Sequence, residues 1–345
     1  MKKVCIASML LAFIIHSASS SEEEKVIGLM KETPERFDSL KEYPYKIAYE
    51  TYVGDNWEIF VMNGDGSNKV NLTHTPIVHE MYPHVSPDGT KICFVSDEMQ
   101  GDSKVRCVYY MNMDGTGRTK VSDHARQPCW SPDGETIAFL PGKYKKFQVL
   151  DFATKGISFY NLKTKKIAEH PNKNIEHLYN ICYSKNGKWL VATVHGGMGY
   201  DHTNLAIEVN GDGVYDLGIG GCRPDISPDG KHVAWGKTDN IISIADVDFD
   251  AAVPKAANMR DVIVDEMHVY HVDWSPDGKY LCYSRGVGGE FQENGPGTNR
   301  GIAELVGVRG IWTLCVTSSS GEFQFCKMTA DGETSKESEW FTPVK

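Results

Sequence analysis

Basic residues are in short supply. Lys and Arg number 36 against 46 Asp and Glu, for a formal net charge of −10. A nucleic-acid binder needs a basic footprint to displace counterions from phosphate, so that class is excluded. Nothing in the balance draws the chain to anionic lipid either. Nine cysteines contain no Cys-x-x-Cys, which removes support for a zinc site built on thiolates. No Gly-x-Ser-x-Gly occurs, so there is no serine-hydrolase nucleophile elbow. The apolar run Val4–Ile15, about twelve residues, is too short to span a bilayer.

That run reads instead as the core of a secretory signal over residues 1–20. Lys2 and Lys3 precede it and Ser17-Ala18-Ser19 offers small residues for cleavage. Cys5 sits at the start of the run rather than after it, which argues against a lipoprotein anchor. The mature protein is expected to be periplasmic or secreted, and not inserted in a membrane. Residues 21–44, acidic and then mixed with Pro34 and Pro44 as breakers, read as a linker or cap with room for a short helix over Glu35–Glu42.

What fills the remainder, residues 45–345, is a repeat. Ser-Pro-Asp-Gly stands at 86–89, 131–134, 227–230 and 275–278, and a worn copy, Ser184-Lys185-Asn186-Gly187, fills the gap. The copies begin 45, 53, 43 and 48 residues apart, the period of propeller blades. Pro pre-sets φ at the second turn position, and Gly supplies the positive φ that closes it. Strand-like segments flank every turn. Six residues after each Ser stands a branched aliphatic residue, Ile92, Ile137, Leu190, Val233 or Leu281. A smaller one follows it, Cys93, Ala138, Val191, Ala234 or Cys282. This is one packing register repeated in the first hairpin of a four-stranded blade.

Lys46–Thr73 supplies the second, third and fourth strands of a further blade but lacks the first. Glu339-Trp340 near the C-terminus resembles Asp273-Trp274, the pair before a turn. The expected fold is therefore all-β: a six-bladed β-propeller of four-stranded blades, its first blade closed by the C-terminal strand, which removes the open sheet edges. The string Tyr82-Pro83-His84-Val85-Ser86-Pro87-Asp88-Gly89 and its repeats resemble the propeller of TolB-like proteins. The resemblance covers about residues 46–345. TolB carries an α/β domain ahead of its propeller, whereas about two dozen residues separate the signal from the first strand here.

Eight cysteines remain after signal removal, an even count that invites disulfides in an exported protein. The register points elsewhere for Cys93 and Cys282, which occupy the slot of small buried residues and are expected as free thiols. Cys93 with Cys107 is the first pairing to check.

The histidines carry the strongest functional pattern. His79, His124, His177 and His268 each stand seven residues before a turn Ser, four of the twelve His in one slot. Ring symmetry would bring them around one mouth of the central channel, where imidazoles can ligate a divalent metal or move protons. Equally, they can be structural residues that hydrogen-bond the loops between blades. Four before the Ser stand Tyr82, Gln127, Asn180, Arg223 and His271; two before stand His84, Cys129, Cys182, Asp225 and Asp273. The two slots share a face. Arg223, among glycines, reads as a clamp for a carboxylate or sulfate, or as the partner of Asp225 or a neighbouring blade's acid. The candidate ligand site is thus His79, His124, His177, His268, Arg223 and His271. The glycine-rich His195–His202 and the stretch Gly286–Arg300 read as loops reaching a face of the disc.

Two functions follow. The first is an exported binding module, expected as a monomer, that takes a protein or polysaccharide ligand at the channel mouth. The alternative is a polysaccharide lyase-like enzyme whose Arg neutralises a uronate while His or Tyr moves the proton.

Overall fold

Each Ser-Pro-Asp-Gly turn is held by its own side chains. Ser86 donates its hydroxyl to Asp88 Oδ1 at 2.6 Å and accepts Lys91 N–H at 2.9 Å, while Gly89 N–H returns to the Ser86 carbonyl at 2.8 Å. The other copies repeat this, including the worn one, where Asn186 Oδ1 replaces the carboxylate at 2.8 Å. The five closing glycines have φ between 69° and 76°, a region open to Gly without a Cβ penalty.

The computed structural model describes residues 29–33, 37–286, 312–330 and 332–344. The signal segment and most of Gly286–Arg300 lie outside the described residues. The strands form six antiparallel blades. Blade 1 combines Ser335–Phe341 with Lys46–Val53, Asn56–Asn63 and Val70–Asn71. The innermost strands of blades 2 to 6 are His79–Val85, Ala125–Trp130, Leu178–Tyr183, Cys222–Ile226 and His268–Trp274. The C-terminal closure is as expected, with Ile47 opposite Trp340 in the ladder.

The repeated packing register explains the ring. All five branched and all five small residues are fully buried. The small residue of one blade packs in one cluster with the branched residue of the next: Cys93 with Ile137, Ala138 with Leu190, Val191 with Val233, Ala234 with Leu281. Ile47-Ala48 proves to be the sixth pair, Ile47 clustering with Cys282 and Ala48 with Ile92, so the series closes on itself. Burying each branched side chain is worth about 1.5–3 kcal/mol.

Cys93 and Cys282 are free buried thiols, as expected. The eight described cysteines are all free, and Cys93 and Cys107 face Tyr110 and Ser96 across the ladder rather than each other. Two other local expectations need correction. The helix expected over Glu35–Glu42 is only a 3-10 turn at Asp38–Leu40, whose Leu40 is buried against the closing blade. Ahead of it, Lys31–Glu32 pairs in parallel with Gln324–Lys327 and adds a fifth strand to blade 6. His195–His202 is a hairpin tip, not a loop: strands Trp189–Gly197 and Tyr200–Glu208 meet at Met198-Gly199, φ 56° and 85°, values that a tight two-residue turn demands.

Candidate functional site

Every innermost strand breaks its ladder at the same place. Tyr82, Gln127, Asn180, Arg223, His271 and Glu337 all have left-handed backbone, with φ between 47° and 57°. The pairing register shifts beside each one. Such a bulge re-aims a side chain, here toward the axis. A non-glycine residue held there costs on the order of 1–3 kcal/mol, so the surroundings must impose it. In three of the blades a side chain of the preceding blade satisfies the freed N–H. Tyr82 N–H donates to Glu50 Oε2 at 2.6 Å, Asn180 N–H to Gln127 Oε1 at 2.7 Å, and Arg223 N–H to Thr193 Oγ1 at 2.9 Å.

A second ring lies two residues further along. Asp225 Oδ2 accepts Trp274 N–H of the next blade at 3.1 Å, and Asp273 accepts Trp340 N–H likewise. Burial pushes the carboxyls of Asp225, Asp273 and Glu339 up and pushes the His84 imidazole down to about 4. Residues of both rings line a channel cavity of about 80 Å³.

The upper ring is cross-linked by charge. Arg223 Nη1 donates to Asn180 Oδ1 at 2.9 Å and to Glu337 Oε1 at 2.8 Å, spanning three blades. His271 Nε2 donates to the same Glu337 oxygen at 2.9 Å, and its Nδ1 lies 3.0 Å from Ser284 Oγ. Arg223 Nη2 donates to Asp151 Oδ2 at 3.0 Å, and Tyr82 Oη donates to Asp151 Oδ1 at 2.9 Å. Asp151 belongs to no innermost strand. It comes from the long connection between strands Thr136–Pro141 and Ser158–Asn161 of blade 3, which crosses the mouth.

The structure brings Arg223 and His271 together on Glu337, and sets His177 at the same mouth, its ring centroid 6.3 Å from that of Phe152. Arg223 is not an exposed clamp but a buried group already paired with acids from blades 1 and 3, because ring closure brings Glu337 within its reach two blades away. The other three histidines sit at blade entries in separate contacts. His79 Nδ1 accepts Trp57 N–H at 3.2 Å. His124 has φ 51° and accepts Gly142 N–H on its carbonyl at 2.6 Å. His268 is buried against the Tyr270 ring, 3.9 Å from Asp239. Among the described residues, none of the four belongs to a group of three ligand atoms with metal spacing; the group that has it is Glu98, Cys107 and Asp123. Lys120 already reaches both carboxylates there, and burial pushes the Cys107 thiol up, away from the thiolate a metal needs. Sequence reasoning missed Glu337 and Asp151. Matching Trp340 to Trp274 would have placed Glu337 in the slot of His271; Asp151 lies outside the repeat and carries no such signal.

Burial pushes His271 down to about 4, the Arg223 charge adding to the effect against the pull of Glu337. The folded protein therefore holds it neutral until about pH 4, whereas the unfolded chain protonates it near 6.5. Between those values the unfolded state binds more protons, so stability falls as pH is lowered through that window. The expected share is about 3 kcal/mol at roughly 1.4 kcal/mol per pKa unit. Urea denaturation between pH 4 and 7 should show a shallower pH dependence in His271→Gln, which keeps a donor for Glu337 but cannot titrate. Parallel curves would contradict this reading.

No family model matches the chain, and no curated protein matches it. Solved structures do. TolB from Acinetobacter baumannii is 17% identical, with TM-score 0.61 over 87% of this chain and 67% of that one. A structure assigned as TolB from Agrobacterium tumefaciens is 15% identical, with TM-score 0.57 over 87% and 99%. A chain of a nidogen/laminin complex is 9% identical, with TM-score 0.57 over 87% and 100%. The fold is that of the TolB-like six-bladed propellers. No described helix is long and apolar enough to cross a membrane.

Proposed function

We propose that the protein is an exported, non-catalytic binding module that receives a protein partner at the channel mouth, with Arg223, His271 and His177 in that site and His79, His124 and His268 bordering it. The observation that carries this is the upper ring. Six blades hold the same strained backbone, yet present six different side chains: Tyr, Gln, Asn, Arg, His and Glu. A purely structural bulge would be served by glycine in every blade. A varied polar set on an invariant frame is what a specific ligand needs, with rigid strands setting the positions.

A protein is favoured over a glycan by the surface around the mouth. Tyr144, Val149 and Leu150, in the segment that crosses the mouth, are exposed, as are Val53 and Met99 near hairpin tips and Ile77 at a blade entry, Ile77 at 88% and Met99 at 63%. Apolar side chains rimming a polar centre suit a protein partner. The neighbour from a nidogen/laminin complex shows that a propeller of this shape can sit in a protein complex. The test is a peptide-phage selection on the purified protein, with a glycan array beside it. Clones should enrich and lose binding to Met99→Asp/Leu150→Asp while still binding Met259→Asp, which lies on an outermost strand. Binders indifferent to the mouth, or binding to glycans alone, would sink the proposal.

A further inference from the structure

The connection that crosses the mouth covers an arginine with no acid of its own. Arg126 is 4% exposed. Its Nη1 donates to the Leu150 carbonyl, its Nη2 to the Gln148 carbonyl at 3.1 Å, and its Nε has no hydrogen-bond partner. Among the described residues no carboxylate forms an ion pair with it: Asp97 is committed to Arg106, and Asp151 to Arg223. Burial pushes the guanidinium down to about 10, and the Arg106 charge adds to this. Beside it Gln127, 5% exposed, fixes its amide oxygen on Asn180 N–H and leaves Nε2 without a partner on the cavity wall. Buried donors of this kind call for acceptors.

The chain supplies those acceptors from itself, and as a peptide. Gln148 and Leu150 give two backbone carbonyls to Arg126. Asp151 gives its carboxylate to Arg223 and Tyr82. Phe152 lays its ring 4.2 Å, centroid to centroid, from that of His195. The same segment turns Val149 and Leu150 outward, both exposed. Between Gly142 and Gly156 it makes two isolated bridges, both at its ends, Gly142 with Thr154 and Lys155 with Glu176, and residues 144–152 lie in neither. A segment so weakly tied belongs to the low-stability end of a structure.

Taking the mouth as the binding site, we propose that Gln148–Phe152 is an internal stand-in for the partner. The partner is then an extended acidic peptide segment, an Asp or Glu followed by an aromatic residue, which displaces Gln148–Phe152 and takes its place on Arg126, Arg223 and Tyr82. The exchange replaces like contacts with like, so the internal copy, present at an effective concentration on the order of millimolar, sets the affinity threshold a partner must exceed. Two carbonyls spaced two residues apart are a peptide feature, which is why a peptide fits Arg126 better than a uronate chain does.

The probe is a synthetic peptide, acetyl-Gln-Val-Leu-Asp-Phe-amide, and its Asn-for-Asp counterpart, titrated calorimetrically into the full chain and into Asp151→Asn. The substitution removes the internal charge without changing shape. The acidic peptide should bind the variant at least tenfold more tightly than the parent, and the Asn peptide should gain nothing. A second measurement needs no variant: Lys145 and Lys146 are exposed in the crossing segment, and saturating acidic peptide should speed trypsin cleavage after them in the parent protein. Equal affinities for parent and variant, equal binding of the two peptides, tighter binding of trigalacturonate than of peptide, or an unchanged cleavage rate would each overturn the proposal. Should phage clones bind the mouth while Asp151→Asn gains nothing, the binding function stands and the stand-in fails. Should neither occur, both fail.

Discussion

Deletion of residues 337–345 is expected to leave a chain that does not fold. The deletion takes Trp340, 4% exposed, and Phe341 out of the core and removes the C-terminal partners of Lys46, Ile47 and Ala48 in the ladder. Trp340 packs with Ile47, Met62 and Cys282, and its ring meets Tyr43 edge-on at 5.6 Å. Truncating a buried Trp alone costs about 3–5 kcal/mol, against a total stability of about 5–15 kcal/mol for a typical domain. Glu337 leaves as well, and with it the acid shared by Arg223 and His271. The truncated chain should lack a cooperative thermal transition by circular dichroism, and Trp340→Ala alone should lower the melting temperature markedly. A truncated protein that melts like the full one would refute the closure.

The second large effect sits beside the upper ring. Lys336 is buried, its ammonium bonded to Glu50 and set 4.9 Å from the Trp57 ring centroid and 5.3 Å from that of Tyr82. Glu50 is fully buried and also holds the strained Tyr82 N–H. Burial pushes its carboxyl up, against the pull of Lys336. Lys336→Met should therefore cost about 3–5 kcal/mol, the usual penalty for removing one member of a buried pair. The double variant Lys336→Met/Glu50→Gln should recover most of that loss, since an amide oxygen can still accept from Tyr82 and no charge stays buried alone. Urea denaturation of the two singles and the double measures the coupling. Additive losses would show that the pair does not act as a unit.

The frame was legible because its signals are local. Ser, Pro, Asp and Gly each do one job in the turn, and the branched-then-small pair fixes which neighbouring blade each strand faces. Glu339-Trp340 was readable as the closing strand for the same reason. The site was legible only in part. The slot holding Tyr82, Gln127, Asn180, Arg223 and His271 was seen to face the channel, but left-handed backbone at five non-glycine residues has no residue-type signature. The burial of Arg223 was not legible, since its partners Glu337 and Asp151 lie 114 and 72 residues away in sequence. The histidine slot is marked by repetition. Repetition marks what every blade needs, whereas a binding ring is marked by variety on a repeated backbone.

The most direct test of the mouth as the binding site is hydrogen exchange of the full chain with and without a phage-selected peptide. Binding at the mouth predicts slowed exchange in the innermost-strand segments around Tyr82, Asn180, Arg223 and His271, and altered exchange across residues 142–156. The Ser-Pro-Asp-Gly turns on the opposite face should be unchanged. Protection confined to those turns or to the outermost strands, with residues 142–156 unaffected, would contradict it.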